Sequence, residues 1–167
     1  MAQPCDQLLP QVGTGYRGYK SDATRYGTAF TVNFIRQLGV EWHTLKPQGP
    51  RLLIGDLSPK GGGKCPNGGK DAKGNPTFHK SHDGGWDFDV QLIRADAKEL
   101  VRSVKITDNN FDVGPTQELV TLMHKLIDQH IRFIFTAAPE KLTGRAIRPE
   151  KEHVYHLHVR LLEDAIR

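Results

Sequence analysis

The segment WDFDVQLI, residues 86–93, alternates apolar and polar side chains. One side collects Trp86, Phe88, Val90 and Leu92, and the other collects Asp87, Asp89 and Gln91. Because successive side chains of a β-strand point to opposite faces, this period of two predicts a strand with an apolar face and an acidic face. The apolar face needs a second layer to cover it, so we predict a half-buried strand within a sheet.

A second segment with the same period lies near the C-terminus, where residues 155–161 are YHLHVRL. Its apolar side consists of Tyr155, Leu157, Val159 and Leu161, and its polar side of His156, His158 and Arg160. We therefore predict a second strand that buries one face and carries two histidines on the other. His153 has the opposite parity, so it precedes the regular strand or lies at a bulge.

Two helices are predicted from an apolar stripe with a period near 3.6. The first is expected from Ser21, where Ser21 or Asp22 caps it, to Gly39, and its apolar face holds Phe30, Phe34, Ile35 and Leu38. The second opens at Gly114 and Pro115, and its buried stripe is Leu119, Met123, Leu126 and Ile127.

Short apolar runs predict two more strands, at residues 51–57 and 132–137. Residues 1–20 are expected to be an irregular arm, residues 61–75 a long Gly-rich loop, and the chain after residue 137 a loop through Pro149. Helices and strands do not alternate regularly, and 167 residues suit one domain. We therefore predict a single α+β domain over residues 1–167, with a mainly antiparallel central sheet, flanking helices and long loops around a cleft.

Charge and hydropathy narrow the classes of function. No apolar run approaches the roughly 20 residues of a membrane span. The N-terminal stretch MAQPCDQLLPQVGTGY also lacks the basic and apolar regions of a signal peptide. The net charge of +4 favours an anionic partner. Because basic residues form no long run and aromatic residues do not interleave with them, we do not expect nucleic-acid binding.

The two cysteines leave one structural question open. A disulfide between Cys5 and Cys65 would tie the N-terminal arm to the Gly-rich loop, and closing a loop of that length contributes about 4 kcal/mol on the chain-entropy model. Unpaired, the two residues would be ordinary thiols. Their spacing does not match a zinc knuckle, and the sequence does not decide between these states.

A second group of chemically active residues precedes the acidic strand. The segment FHKSHDGGWDFD, residues 78–89, contains His79, His82 and Asp89, and two glycines after Asp83 allow a sharp turn. If the two alternating strands are neighbours, Asp89, His156 and His158 lie together and the turn brings His82 over them. Two histidines and a carboxylate are a typical catalytic zinc set, with a fourth position for water. A pH-sensitive patch of histidines is the alternative.

These motifs resemble those of known families. SHDGGWDFD and HLH, at residues 81–89 and 156–158, resemble the metal motifs of the lysostaphin and D-Ala-D-Ala carboxypeptidase superfamily. More closely, LLIGDLSPKGGG, HKSH and HVYHLHVRL, together with YGTAFTVNFI, resemble the penicillin-insensitive murein endopeptidases over residues 25–161. The chain departs from that family at Asp83, at Trp86 and in the long loop between Gly63 and His79.

The resemblance implies a role for each residue of the cluster. His82, Asp89 and His158 would bind Zn²⁺, and His156 would act beside the metal as general base or as a stabiliser of the transition state. His153 and His79 would be further catalytic histidines around the cleft. The implied substrate is peptidoglycan, cut between D-alanine and meso-diaminopimelate, so the implied location is the periplasm or the outside of the cell. Asp87, on the same strand face, is either a partner that supports a ligand or the alternative ligand to Asp89, which the family spacing favours.

Several alternatives remain open at this level. The chain is a housekeeping wall enzyme, a phage lysin or a secreted effector, and the bond it prefers is of the DD or the LD type. A homodimer is possible. A non-catalytic zinc domain that binds cell wall or a protein is the second hypothesis, although an intact set of His82, Asp89, His156 and His158 favours an enzyme.

Overall fold

The acidic strand and the histidine strand lie side by side in a seven-stranded sheet. This architecture comes from a computed structural model, which describes residues 4–163. Within them the strands are β1 (Gln7–Leu8), β2 (Val12–Gly13), β3 (Tyr16–Gly18), β4 (Tyr26–Gly27), β5 (Leu52–Ile54), β6 (Pro66–Lys70), β7 (Pro76–Phe78), β8 (Asp87–Gln91), β9 (Ile131–Thr136), β10 (Ile147–Pro149) and β11 (His156–Leu161). The α-helices are α1 (Ala29–Leu45) and α2 (Gly114–Ile127).

The main sheet has the order β10-β9-β11-β8-β5-β3-β2. Strand β11 pairs antiparallel with both β9 and β8, β8 pairs antiparallel with β5, and β2 pairs antiparallel with β3. Only the pairs β10–β9 and β3–β5 are parallel among the described strands. The predicted α+β class with a mainly antiparallel sheet is therefore confirmed.

The apolar face of the central strands forms the core with the helices. Phe88 and Val90 of β8, and Leu157 and Val159 of β11, are fully buried. The ring of Phe34 on α1 lies 6.0 Å from the ring of Phe88, so α1 packs on this face. Helix α2 contributes the predicted Leu119 and Met123, whereas Leu126 and Ile127 are only partly buried.

The opposite face of β8 is also buried, which the alternating pattern did not predict. Asp87 is fully buried, and Asp89 and Gln91 are 4% and 2% exposed. The reason is that the chain on either side folds over this face, with His82 and His153 both in ring contact with His158. Carboxylates that are buried in this way need hydrogen-bond donors or positive charges nearby.

The first helix begins and ends later than predicted. Residues Asp22–Thr24 form only a short 3-10 turn, and Ser21 makes no side-chain capping bond. Thr28 is the cap instead, because its hydroxyl accepts a hydrogen bond from the amide of Thr31 at 3.2 Å. The helix continues through Gly39 to Leu45. Glycine is needed at this position because a Cβ atom there would lie 2.4 Å from the carbonyl oxygen of Thr14. Gly39 is a packing residue and not a helix end.

Three segments predicted as irregular contain strands. The part of the N-terminal arm within the described residues holds β1 to β3, and Tyr16 of β3 is buried. The Gly-rich loop contains the hairpin formed by β6 and β7. The loop before Pro149 contains β10, a parallel edge strand. The strand predicted at 132–137 is confirmed as β9 with bounds shifted by one residue, and the strand predicted at 51–57 is confirmed only in its first half, as the three-residue β5.

Two further predictions concern the cysteines and the membrane. Cys5 and Cys65 are both buried and not bonded to each other, so the structure contains two free thiols. Burial raises the pKa of the Cys65 thiol to about 12, which keeps it protonated. Among residues 4–163, no helix is both long enough and apolar enough to cross a membrane.

Candidate metal centre

Strand pairing sets the position of the first two candidate ligands. In the antiparallel ladder between β11 and β8, His158 lies directly opposite Asp89. Both side chains point to the face away from the helices, and Nδ1 of His158 is 3.0 Å from Oδ1 of Asp89. Asp89 is further fixed through its backbone, since its amide donates to the carbonyl of Asp56 at 3.1 Å.

His82 reaches this pair from the turn before β8. Its backbone has φ of 66°, in the left-handed region that histidine adopts more often than most residues. Its Nδ1 donates to the carbonyl oxygen of Leu57 at 2.8 Å. Because a carbonyl only accepts, the Nε2 atom of the neutral ring keeps its lone pair, and this atom lies 3.2 Å from Oδ1 of Asp89.

The three side chains fit a metal ion. His82, Asp89 and His158 each offer one ligand atom, and these atoms all lie within 4.8 Å of one another. All three residues are buried, and Nε2 of His82 has no hydrogen-bond partner among the described residues. A buried lone pair without a partner is costly, and a cation between the three atoms would satisfy it.

Asp87 fixes the orientation of His158. Its carboxylate accepts a hydrogen bond from Nε2 of His158 at 2.9 Å and also from both ends of the Arg160 guanidinium at 2.8 Å. With Nε2 occupied as a donor, Nδ1 is the nitrogen free for a metal. Asp87 therefore occupies the position of an orienting partner, which in metal sites lies behind the ligating histidine.

Electrostatic coupling within the cluster is strong. Burial opposes charge on Asp89, but His82 and His156 outweigh it and hold the pKa of Asp89 well below its usual range. Burial also disfavours the imidazolium of His158, but hydrogen bonds to Asp87 and Asp89 outweigh it and raise the pKa of His158 to about 9. The protonated ring of His158 supplies positive charge between two buried carboxylates, which is what a metal cation would also supply.

His156 and His153 complete one side of the cluster. Nε2 of His156 is 3.6 Å from Oδ1 of Asp89, and the His153 ring lies 4.9 Å from that of His156. Burial lowers the pKa of His156, although Asp89 opposes the shift. Burial and the two neighbouring imidazoles lower the pKa of His153 to about 4. Both rings are therefore neutral at pH 7 and able to accept a proton.

His79 lies on the other side of His82. The two rings are 4.8 Å apart, and Nε2 of His79 is 3.4 Å from Oδ2 of Asp56. Asp56 is buried. Its carboxylate also forms a salt bridge with Nζ of Lys20 at 2.8 Å and accepts a hydrogen bond from the hydroxyl of Thr24 at 2.6 Å. Burial opposes its ionisation, but these partners lower the pKa of Asp56. The structure thus gathers all six residues singled out in the sequence into one site.

Two polar residues near the site were not identified from the sequence. The hydroxyl of Tyr19 accepts a hydrogen bond from Gln91 at 2.7 Å, and burial and the Asp89 carboxylate hold the pKa of Tyr19 well above its usual range. Lys20 follows it and pairs with Asp56. Both belong to the segment expected to be an irregular arm, where they form no motif. The structure shows that this arm joins the sheet, because β3 pairs with β5 and Tyr16 of β3 is buried.

Comparisons with known proteins agree with these motifs. A family model described as penicillin-insensitive murein endopeptidase matches residues 3–146, a range that includes His82 and Asp89 and ends before β11. The chain is 29% identical to a penicillin-insensitive murein endopeptidase of Klebsiella pneumoniae (strain 342), over 93% of this chain and 61% of that protein. It is 27% identical to one of Haemophilus influenzae, over 93% of this chain and 58% of that protein. The chain thus spans about three fifths of the length of these relatives.

Proposed function

The chain belongs to the penicillin-insensitive murein endopeptidase family, and we propose that it is a zinc peptidase that hydrolyses the peptide cross-links of peptidoglycan. The bond we propose is the one between D-alanine and meso-diaminopimelate. Such a substrate places the enzyme at the cell wall, in the periplasm or outside the cell. The proposed ligands are His82, Asp89 and His158.

One observation carries this proposal most strongly. Three buried donor atoms converge within 4.8 Å, and they belong to two histidines and one carboxylate. Three protein ligands of these types leave a position for substrate or water, whereas structural zinc sites are usually closed by four. Imidazole together with carboxylate also suits zinc better than magnesium or calcium, which prefer oxygen ligands alone.

Each residue around the metal has a separate role in the proposed reaction. Zinc, when bound, supplies a Lewis acid that acidifies water and polarises the scissile carbonyl group. His156 is the proposed general base, because its ring is neutral at pH 7 and lies beside Asp89. Once protonated it is a donor for the leaving amine. Asp87 keeps His158 in the tautomer that leaves Nδ1 free.

His153 and His79 have supporting roles in the proposal. His153 touches the rings of both His156 and His158, so it is placed to exchange a proton with His156 or to donate to the leaving group. His79 lies between His82 and Asp56, and the Asp56 carboxylate orients it toward the cleft. With His153 on one side of the metal and His79 on the other, an additional imidazole is present on each side for a reaction in which a proton leaves water and is delivered to the leaving amine.

The test uses purified cross-linked muropeptides as substrate. The zinc-loaded protein should convert dimeric muropeptides to monomers, and mass spectrometry should assign a new carboxyl terminus to D-alanine. A chelator should stop the conversion, and added zinc should restore it. Exchange of His82 for Ala should remove both zinc and activity. A matched control is His43→Ala, which changes an exposed histidine of α1.

Two outcomes contradict the proposal. If the zinc-loaded protein leaves every muropeptide unchanged, the enzyme hypothesis fails and the alternative, a zinc-containing domain that binds without cleaving, takes its place. If conversion continues unchanged in the chelated protein, the activity does not depend on the metal.

A further inference from the structure

Positive charge is concentrated in one segment of the chain. Residues 60–80 contain five lysines and one aspartate, whereas the whole chain has a formal net charge of +4. The rest of the protein is therefore neutral overall, and this segment, here called the lysine hairpin, carries the entire excess. Its lysines are Lys60, Lys64, Lys70, Lys73 and Lys80, and all five are exposed.

Apart from the buried Cys65 at its base, the lysine hairpin lies outside the hydrophobic core. Strands β6 and β7 form a separate two-stranded sheet, and every residue of β6 is exposed. Its tip is closed locally, because the carboxylate of Asp71 accepts hydrogen bonds from the amides of Lys73 and Asn75. The hairpin contributes only Phe78 as a large apolar side chain, and Phe78 is 42% exposed. Core packing does not explain why the chain holds this hairpin.

The base of the lysine hairpin is fastened to the candidate metal centre. The amide of His79 donates to the carbonyl of Cys65 at 2.9 Å, and the amide of Gly63 donates to the carbonyl of Asp83 at 2.7 Å. His79 follows β7 directly, and its ring is 4.8 Å from that of His82. The end of the lysine hairpin therefore contacts the candidate metal centre directly.

We propose that the lysine hairpin is a polyanion-binding arm that holds peptidoglycan through the carboxylates of its stem peptides while a cross-link occupies the metal cleft. This inference rests on the proposed function for the identity of the polymer. Exposed lysines attract an extended anionic polymer electrostatically, without a shaped pocket. Nucleic acid is disfavoured, because binding of single strands uses aromatic platforms. Phe78 is the one Phe, Tyr or Trp residue of the hairpin, and Nζ of Lys64 lies over its ring, 5.5 Å from the centroid.

The experiment measures co-sedimentation of the zinc-loaded full chain with isolated cell-wall sacculi. The variant Lys64→Gln, Lys70→Gln, Lys73→Gln removes three charges from the hairpin, and Arg36→Gln, Lys98→Gln, Lys125→Gln removes three exposed charges from other elements. We expect the hairpin variant to bind at least about tenfold more weakly at low salt, and the control variant to bind like the wild type. Raising the salt concentration should weaken the wild type toward the hairpin variant.

Chemical treatment of the sacculi distinguishes the two sources of negative charge. Amidation of the stem-peptide carboxylates should abolish the difference between wild type and hairpin variant, and removal of phosphate-linked polymers by hydrofluoric acid should preserve it. The opposite pattern would assign the arm to phosphate polymers and overturn the inference. Equal binding to sacculi by the hairpin and control variants would overturn it as well. So would a hairpin variant that binds sacculi like the wild type and loses affinity only for duplex DNA. Because the measured quantity is the bound fraction of the protein and not the release of muropeptides, failure of the proposed hydrolysis leaves this result readable.

Discussion

Asp87 connects two of the candidate ligands, His82 and His158, to Arg160. Its carboxylate accepts hydrogen bonds from the His158 ring at 2.9 Å, the His82 amide at 3.2 Å and the Arg160 guanidinium at 2.8 Å. Burial opposes its ionisation, but His158 and Arg160 outweigh burial and lower the pKa of Asp87 to about 2. The sequence left Asp87 either as a partner that supports a ligand or as an alternative ligand, and these contacts favour the supporting role, in which it orients His158 and His82.

The variant Asp87→Asn should bind zinc about 10 to 100-fold more weakly, because the ring of His158 loses its charged partner. Competition with a chelating dye measures the affinity. The control is Asp83→Asn. The carboxylate of Asp83 is 67% exposed and makes a long contact of 3.5 Å with Arg160, so the zinc affinity of this variant should change little. Unchanged affinity in Asp87→Asn would show that His158 is oriented by other contacts.

His156 and His158 lie on the same face of one strand and yet differ in function under the proposal. The variant His156→Ala should keep one zinc per chain and lose about 10² to 10⁴-fold in kcat/KM on muropeptides, since general base catalysis contributes that much. Metal analysis and kinetics on the same sample separate the two effects. Loss of zinc together with activity would make His156 a ligand, and unchanged turnover would remove it from the mechanism.

At the scale of elements, Gly39 shows a close approach between α1 and the N-terminal strands. A methyl group there would meet the carbonyl oxygen of Thr14 at 2.4 Å and the ring of Tyr16 at 2.8 Å. Alanine favours a helix over glycine by about 1 kcal/mol, but overpacking costs about 1 to 3 kcal/mol.

Gly39→Ala should therefore lower the free energy of unfolding by up to about 2 kcal/mol, because the backbone of Thr14 has to move. Urea denaturation measures the change. Gln37→Ala, at an exposed position of the same helix, is the control and should leave stability unchanged or slightly higher. An increase in stability for Gly39→Ala would mean that α1 and the arm separate at no cost.

Elements with a strong internal pattern were predictable, and elements that depend on tertiary pairing were not. Strands β8 and β11 carry a period of two, and α2 carries an apolar stripe after Pro115. In contrast, β3 and β10 have three residues each, and β6 has no large apolar residue, so no local signal marks them. Their hydrogen bonds form only when a neighbouring strand is present.

The same distinction applies to the site. His82, Asp89 and His158 were identifiable because two patterned strands and a glycine turn bring their motifs together. Tyr19 and Lys20 were not, because their positions depend on β3 pairing with β5. The burial of Asp87 was missed for a related reason, since the period of β8 does not reveal that the turn and the residues before β11 cover its acidic face.

At the scale of the whole molecule, the candidate metal centre joins the His82–Asp89 segment to a strand that lies far away in the sequence. His82 comes from a turn, Asp89 from β8 and His158 from β11, and 71 positions separate Asp87 from its partner His158. A metal held by all three binds the folded chain and has no equivalent site in the unfolded one. Its binding free energy therefore adds to stability.

Zinc should raise the thermal midpoint of unfolding. At a free concentration about 100 times Kd the stabilisation is about 2.7 kcal/mol. For a chain of this size that corresponds to roughly 5 to 10 °C. Differential scanning calorimetry with and without zinc measures the shift, and the variant Asp89→Asn should lose most of it. An equal shift in that variant would place the zinc elsewhere on the protein.

Titration of the metal-free protein with zinc, with bound metal and muropeptide cleavage measured on the same samples, tests directly whether the metal centre is the active site. Cleavage should rise in proportion to bound zinc and level off at one zinc per chain, and exchange of His82, Asp89 or His158 should remove both. Cleavage by the metal-free protein, or a full equivalent of zinc bound without any cleavage, would contradict it.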